Sequence, residues 1–74
     1  MENEEKRAIL RARSIGPKML AWIEEAGYER LADFTRETPE NIAFRIEAVA
    51  GIKLNRNGLK ALRNLIDWSR EAGS

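Results

Sequence analysis

Arg13-Ser14-Ile15-Gly16-Pro17-Lys18 separates two amphipathic segments, and its residue types fit a tight turn between two helices. Pro17 suits the first turn of a helix, where its missing N–H has no intrahelical partner to lose. Gly16 permits backbone angles that a side chain would forbid, and Ser14 is a good capping residue. A turn that opens into a helix directs unpaired N–H groups, and the positive end of the helix dipole, at whatever lies in front. Lys18 adds charge of the same sign. Anion binding is the chemistry expected at this turn.

The segments on either side read as helices. The first runs from Glu4 to Ala12 and would carry Arg7 and Arg11 one turn apart on the same face. The second runs from Pro17 to about Ala26, with Met19, Trp22, Ile23 and Ala26 on an apolar face and Lys18 outside it. Gly27 is placed to stop it. A shorter segment, Leu31 to about Arg36, has Leu31 and Phe34 at helical spacing.

Thr38-Pro39-Glu40-Asn41 is a strong helix start: a capping Thr, Pro at the first helical position, then an acid in the first turn. The helix it opens places Ile42, Ile46 and Val49 on one stripe and ends at Gly51. Phe44 lies opposite that stripe with Ala48 beside it. Packing on both sides of this helix is the expectation, and the alternative is a Phe44 offered to a protein partner. Asn55 or Asn57 can cap the last helix. Leu59, Leu62, Ile66 and Ser69 form one of its stripes, and Ala61, Leu65, Trp68 and Ala72 form another. Trp22 and Trp68 both fall on apolar stripes, which favours core packing over base stacking. No segment alternates apolar and polar residues as a strand would. The expected fold is all-α, a compact bundle of about five short helices in one domain spanning 1–74.

Composition narrows the function. A chain of 74 residues has room for one core, and buries only about 60% of the surface it exposes when unfolded. It has no Cys, so neither disulfides nor thiolate metal sites arise, which fits a reducing cytoplasm. There is no apolar run of about 20 residues, and the acidic start Met1-Glu2-Asn3-Glu4-Glu5 lacks a signal-peptide pattern. With no His, and two Asp 34 positions apart, no catalytic residue, metal site or cofactor is expected.

The net charge of +1 conceals a polarity along the chain. Residues 1–5 carry −3 and residues 6–23 carry +5, from Lys6, Arg7, Arg11, Arg13 and Lys18 with no acid among them. Residues 24–50 carry −4, and residues 51–74 carry +3 from a second basic block that includes Lys53, Arg56, Lys60 and Arg63. A weak internal repeat connects the two basic blocks. Gly16-Pro17-Lys18-Met19-Leu20 aligns with Gly58-Leu59-Lys60-Ala61-Leu62 at an offset of 42 residues, and Ile23 aligns with Leu65. A structural repeat would bring both basic blocks to one side of the domain.

With these residues in place, the sequence resembles helix-hairpin-helix proteins of the SAM-like type. The family's hairpin reads as a hydrophobic residue, two variable positions, then Leu-Pro-Gly-Ile-Gly-Pro-Lys. Ala12 to Lys18 occupies that run: Ile15, Gly16, Pro17 and Lys18 match, while Arg13 replaces the proline and Ser14 the first glycine. Ala26-Gly27-Tyr28 and Leu31-Ala32-Asp33-Phe34 extend the similarity to small bacterial members, such as the C-terminal domain of TfoX-type competence regulators. The second hairpin is more degenerate.

The resemblance implies a DNA phosphate held by the amides around Gly16, with help from Lys18 and with Arg11 and Arg13 as neighbouring charges. Arg56, Gly58 and Lys60 would engage the opposite strand of the duplex. The departure at Ser14 bears on this, because a serine that caps the helix would leave fewer amides for phosphate. The expected function is a DNA-binding module without strong sequence preference. The alternative is a protein-interaction or scaffolding domain that uses Phe44 and has no nucleic-acid role.

Overall fold

Each α-helix begins at a residue suited to begin one. Thr38 caps α3 (Pro39–Ala50): its Oγ1 accepts the Asn41 N–H at 3.1 Å, and Pro39 takes the first position. Asn55 caps α4 (Arg56–Ala72), its Oδ1 accepting the Gly58 N–H at 2.9 Å. Pro17 opens α2 (Pro17–Glu25) directly after an extended Gly16. Glu4 and Glu5 occupy the first turn of α1 (Asn3–Leu10), where the helix dipole favours acids. At the far end of α3, Gly51 adopts φ 68°, a left-handed stop that only glycine takes without strain.

The computed structural model describes residues 1–73. Among the described residues it is all-helical, with 68% of residues in helix and no strands. Four α-helices are joined by a 3-10 helix over Leu31–Phe34 in place of the fifth α-helix expected through Arg36. The carboxylate of Asp33 accepts the Glu29 and Arg30 N–H groups at 2.9 and 3.0 Å, which fixes this short turn locally. Thr38 and Pro39 then start α3 before another helical turn can form. α1 is also shorter than expected. The Arg11 N–H bonds to the Ala8 carbonyl and the Ala12 N–H to the Ile9 carbonyl, a tightening that ends the helix at Leu10. Arg11 is therefore the cap residue of α1.

α4 packs against α3 and the 3-10 helix, α2 packs against α3 and α1, and α1 packs also on the 3-10 helix. Ile9, Ile23, Phe34, Ile42, Ile46, Leu62 and Leu65 are fully enclosed between them. Both stripes of α4 contribute, with Ala61, Leu62, Leu65, Ile66 and Ser69 buried, Leu59 and Trp68 half-buried and Ala72 exposed. Ser69 meets its polar requirement within the helix, its Oγ donating to the Ile66 carbonyl at 2.6 Å. Both tryptophans pack half-buried against the core.

α3 departs from expectation on its outer face. Ile42, Ala43 and Ile46 face the core, while Val49 is 52% exposed and Phe44 is 72% exposed. Two-sided packing does not occur. The neighbours of α3 are α2 and α4, and both cover the Ile42–Ile46 face. Among the described residues, no helix is long and apolar enough to cross a membrane.

Trp68 joins α4 to the far end of α1, its indole N–H donating to the Ala8 carbonyl at 2.8 Å. Trp68→Phe keeps an aromatic ring, though a smaller one, and leaves that carbonyl with only the longer Arg11 bond. A loss of about 1 kcal/mol, read from the urea midpoint at unchanged slope, is expected. Tyr28 supplies a second test. Its ring stacks on Phe34 with centroids 4.6 Å apart, and its hydroxyl donates to Glu37 at 3.0 Å. Burial, reinforced by the Glu37 carboxylate, holds its pKa above that of a free phenol. Above pH ~10 the unfolded chain releases a proton that the native state retains, so stability is full below that pH and falls as pH rises further. Tyr28 is the one tyrosine of the chain. Phenolate absorbance should therefore rise at a more alkaline pH than in a free tyrosine peptide, together with loss of helical circular dichroism. Ionisation of the folded protein at the free-peptide pH would contradict this.

Candidate nucleic-acid interface

The turn between α1 and α2 is built differently from its sequence reading. Gly16 is extended, at φ −107° and ψ 179°, and a Cβ placed there would meet nothing within 4 Å. The left-handed residue is Ser14, at φ 69°. Nor does Ser14 cap α2, whose cap position is Gly16, with no side-chain hydrogen bond. The N–H groups of Lys18 and Met19, in the first turn of α2, thus have neither a side-chain cap nor an intrahelical acceptor. Ile15 is buried and pins the turn to the core. α4 holds it from the other side, Asn64 Nδ2 donating to the Arg13 carbonyl at 3.3 Å.

This arrangement forms an open cleft of about 530 Å³. Arg13, Ser14 and Met19 line one wall, and Asn57, Gly58, Lys60 and Asn64 line the other. No acidic side chain lines it. α2 contributes through its third residue and α4 through its second and third, so two helix N-termini open on one space. Their first turns contain no acid, whereas α1 carries Glu4 and Glu5 and α3 carries Glu40 in theirs. Acids are absent where the dipole would favour them most, at the two helix starts that share the cleft.

Of the eight residues singled out from sequence, the structure brings Arg13, Ser14, Gly58 and Lys60 together in the cleft. Gly16, Lys18 and Arg56 belong to the same turn and helix starts without lining it. Lys18 is exposed, with its ammonium 5.3 Å from the centre of the Trp22 ring. Arg56 is the exposed first residue of α4. Arg11 lines an adjacent depression of about 380 Å³ that also contains Arg13, Asp67 and Glu71, so acids offset its charge. Phe44 lies on α3, apart from these residues.

Sequence reasoning missed Met19 and Asn64 as cleft residues and weighed Asn57 only as a cap. A signal for Asn64 existed, since it follows Lys60 by one helical turn. Among the described residues, no cluster of His, Cys, Asp and Glu could hold a metal ion. No family model, curated protein or solved structure matches the chain. The cleft has to be read from its own chemistry.

Ser14 gives a local test. A left-handed side chain costs roughly 1 kcal/mol, partly offset in a glycine variant by the greater freedom of its unfolded chain. Ser14→Gly should raise the urea midpoint by the equivalent of about 0.5 kcal/mol, and the β-branched Ser14→Val should lower it. A glycine variant less stable than the parent would show that the serine side chain itself holds the turn.

Proposed function

We propose that this chain is a DNA-binding module that grips backbone phosphates of a duplex without strong sequence preference, in the manner of the helix-hairpin-helix domains it resembles. One observation carries the reading: two basic segments about 45 residues apart in sequence line a single acid-free cleft, at which two helices begin. In this reading the Lys18 and Met19 amides donate to a phosphate oxygen, and Arg13 and Lys60 supply charge across the gap. The left-handed Ser14 stands where the family has its first glycine, and it supports the reading by making the sharp turn without capping α2. Gly58 has its N–H engaged by Asn55, so the second turn offers fewer free amides than the first. Arg11, Gly16 and Arg56 act at the margin as neighbouring charge and backbone.

Phosphate contacts position a protein but carry little sequence information. The exposure of Phe44 favours a second reading, a protein-interaction surface on α3, which is separable from the first because it uses other residues.

Titration of isotope-labelled protein with a short duplex tests the first reading. Shifts should concentrate at 14–19 and 57–64 and fade as salt rises. About three to five phosphate contacts give a slope of log K against log salt of roughly −3 to −4.5. Arg13→Glu with Lys60→Glu should abolish the shifts at unchanged fold. No shifts at low salt, or an affinity independent of salt, would dismiss the reading.

A further inference from the structure

Ser14 carries a hydroxyl that the fold does not use. The other Ser and Thr side chains among the described residues are all engaged. Thr38 Oγ1 accepts the Asn41 N–H, Thr35 Oγ1 donates to the Ala32 carbonyl at 3.0 Å, and Ser69 Oγ donates to the Ile66 carbonyl from a buried position. Among the described residues Ser14 Oγ has no hydrogen-bond partner, and Ser14 is exposed. It also sits at φ 69°, an angle that glycine meets at lower cost. Stability gives no reason for a hydroxyl at this position.

The surroundings of that hydroxyl are cationic. Arg11 and Arg13 precede it by three residues and by one, and no acid occurs from Lys6 to Ile23. Ser14 lies in the turn between α1 and α2, outside both helices. It lines the cleft together with Arg13 and Lys60, no acid lines that cleft, and its volume of about 530 Å³ has room for a phosphoryl group.

We propose that Ser14 is a phosphorylation site, and that its phosphate occupies the cleft and closes it to other anions. The partner is a protein kinase whose acidic substrate groove reads the arginines three residues and one residue before the serine. Ser14 Oγ bonds to the γ-phosphorus of a nucleoside triphosphate as the bond from that phosphorus to the β,γ-bridging oxygen breaks. The nucleoside diphosphate leaves with the electron pair, and the hydroxyl proton passes to a base of the kinase. Ala12 and Ile15 are buried on either side, so the kinase engages a turn that opens locally. The product carries roughly −1.5 to −2 charges at pH 7. Arg13 and Lys60 then face an anion tethered to the turn itself, which outcompetes one that has to diffuse in. Loss of duplex binding on modification rests on the DNA reading above; the seating of the phosphate does not.

Incubation of the full chain with an arginine-directed serine/threonine kinase and ATP tests the site. One phosphate should be gained, located to Ser14 by fragment mass, and Ser14→Ala should gain none there. Arg11→Ala should slow the gain by about tenfold. In the modified chain the phosphorus NMR signal should titrate at a lower pH than in a phosphoserine peptide, because Arg13 and Lys60 favour the dianion. The Lys18 and Met19 amide signals should move with the same titration, and Lys60→Glu should bring it back towards the peptide value. Duplex affinity should fall by at least about tenfold on modification. A chain modified only elsewhere or not at all, a phosphate that titrates as in the free peptide, or a duplex affinity unchanged by modification would each overturn the proposal. A parent chain that binds no duplex would dismiss the DNA reading alone, and the phosphate titration would still decide the seat.

Discussion

The fold depends on α4 acting as a common partner for backbone that would otherwise lack one. Its apolar stripes bury Leu62, Leu65 and Ile66 against α3 and the 3-10 helix. Three of its polar side chains then reach carbonyls in separate connecting regions. Trp68 donates to Ala8 at the end of α1, Asn64 to Arg13 in the first turn, and Arg70 Nε to Thr35 after the 3-10 helix at 2.9 Å. Connectors have backbone groups that regular structure does not satisfy. A chain this small has little core with which to hold them by packing alone. One long helix with donors along its length fixes three of them, and so sets the distance between the first turn and Lys60.

The electrostatics of the cleft run against simple helix stability. A base in the first turn and no acid there costs a few tenths of a kcal/mol per helix relative to the reverse arrangement. α4 accepts Arg56 in that place, and α2 accepts Lys18. The same sequence follows the rule at α1 and α3, so no general bias in composition explains the exception. Local departures from stable design cluster where a protein meets a ligand. The left-handed Ser14 is a second such departure and lies in the same place.

Features fixed by neighbours in sequence are legible in the sequence itself. Thr38 and Asn55, the latter one of two candidate caps with Asn57, accept from amides three residues on, and the apolar stripes of α4 follow from helical period alone. What could not be read depends on residues far away. The bonds of Asn64 and Trp68 span 51 and 60 positions, and no local pattern announces them. The turn misled in an instructive way. Glycine is the residue most tolerant of left-handed angles, yet Gly16 is extended because Pro17 and the start of α2 demand it. The sharp bend then falls on Ser14. The cleft residues were half legible, since charge and the weak repeat marked Arg13, Gly58 and Lys60. Which bases would face away, as Arg11 does beside Asp67 and Glu71, needed the packing.

The same reasoning accounts for Phe44. On a helical wheel its position is simply opposite Ile42 and Ile46, and whether that side is covered depends on how many elements the chain can supply. Four α-helices and one short turn are enough to enclose the Ile42–Ile46 face and no more. Leaving one of five aromatics outside forgoes burial worth about 2 kcal/mol or more to a domain of marginal stability. A charged or small residue at 44 would serve an isolated α3 better. Among the described residues nothing covers Phe44, and that follows from the number of elements packed on α3 rather than from its helical pattern.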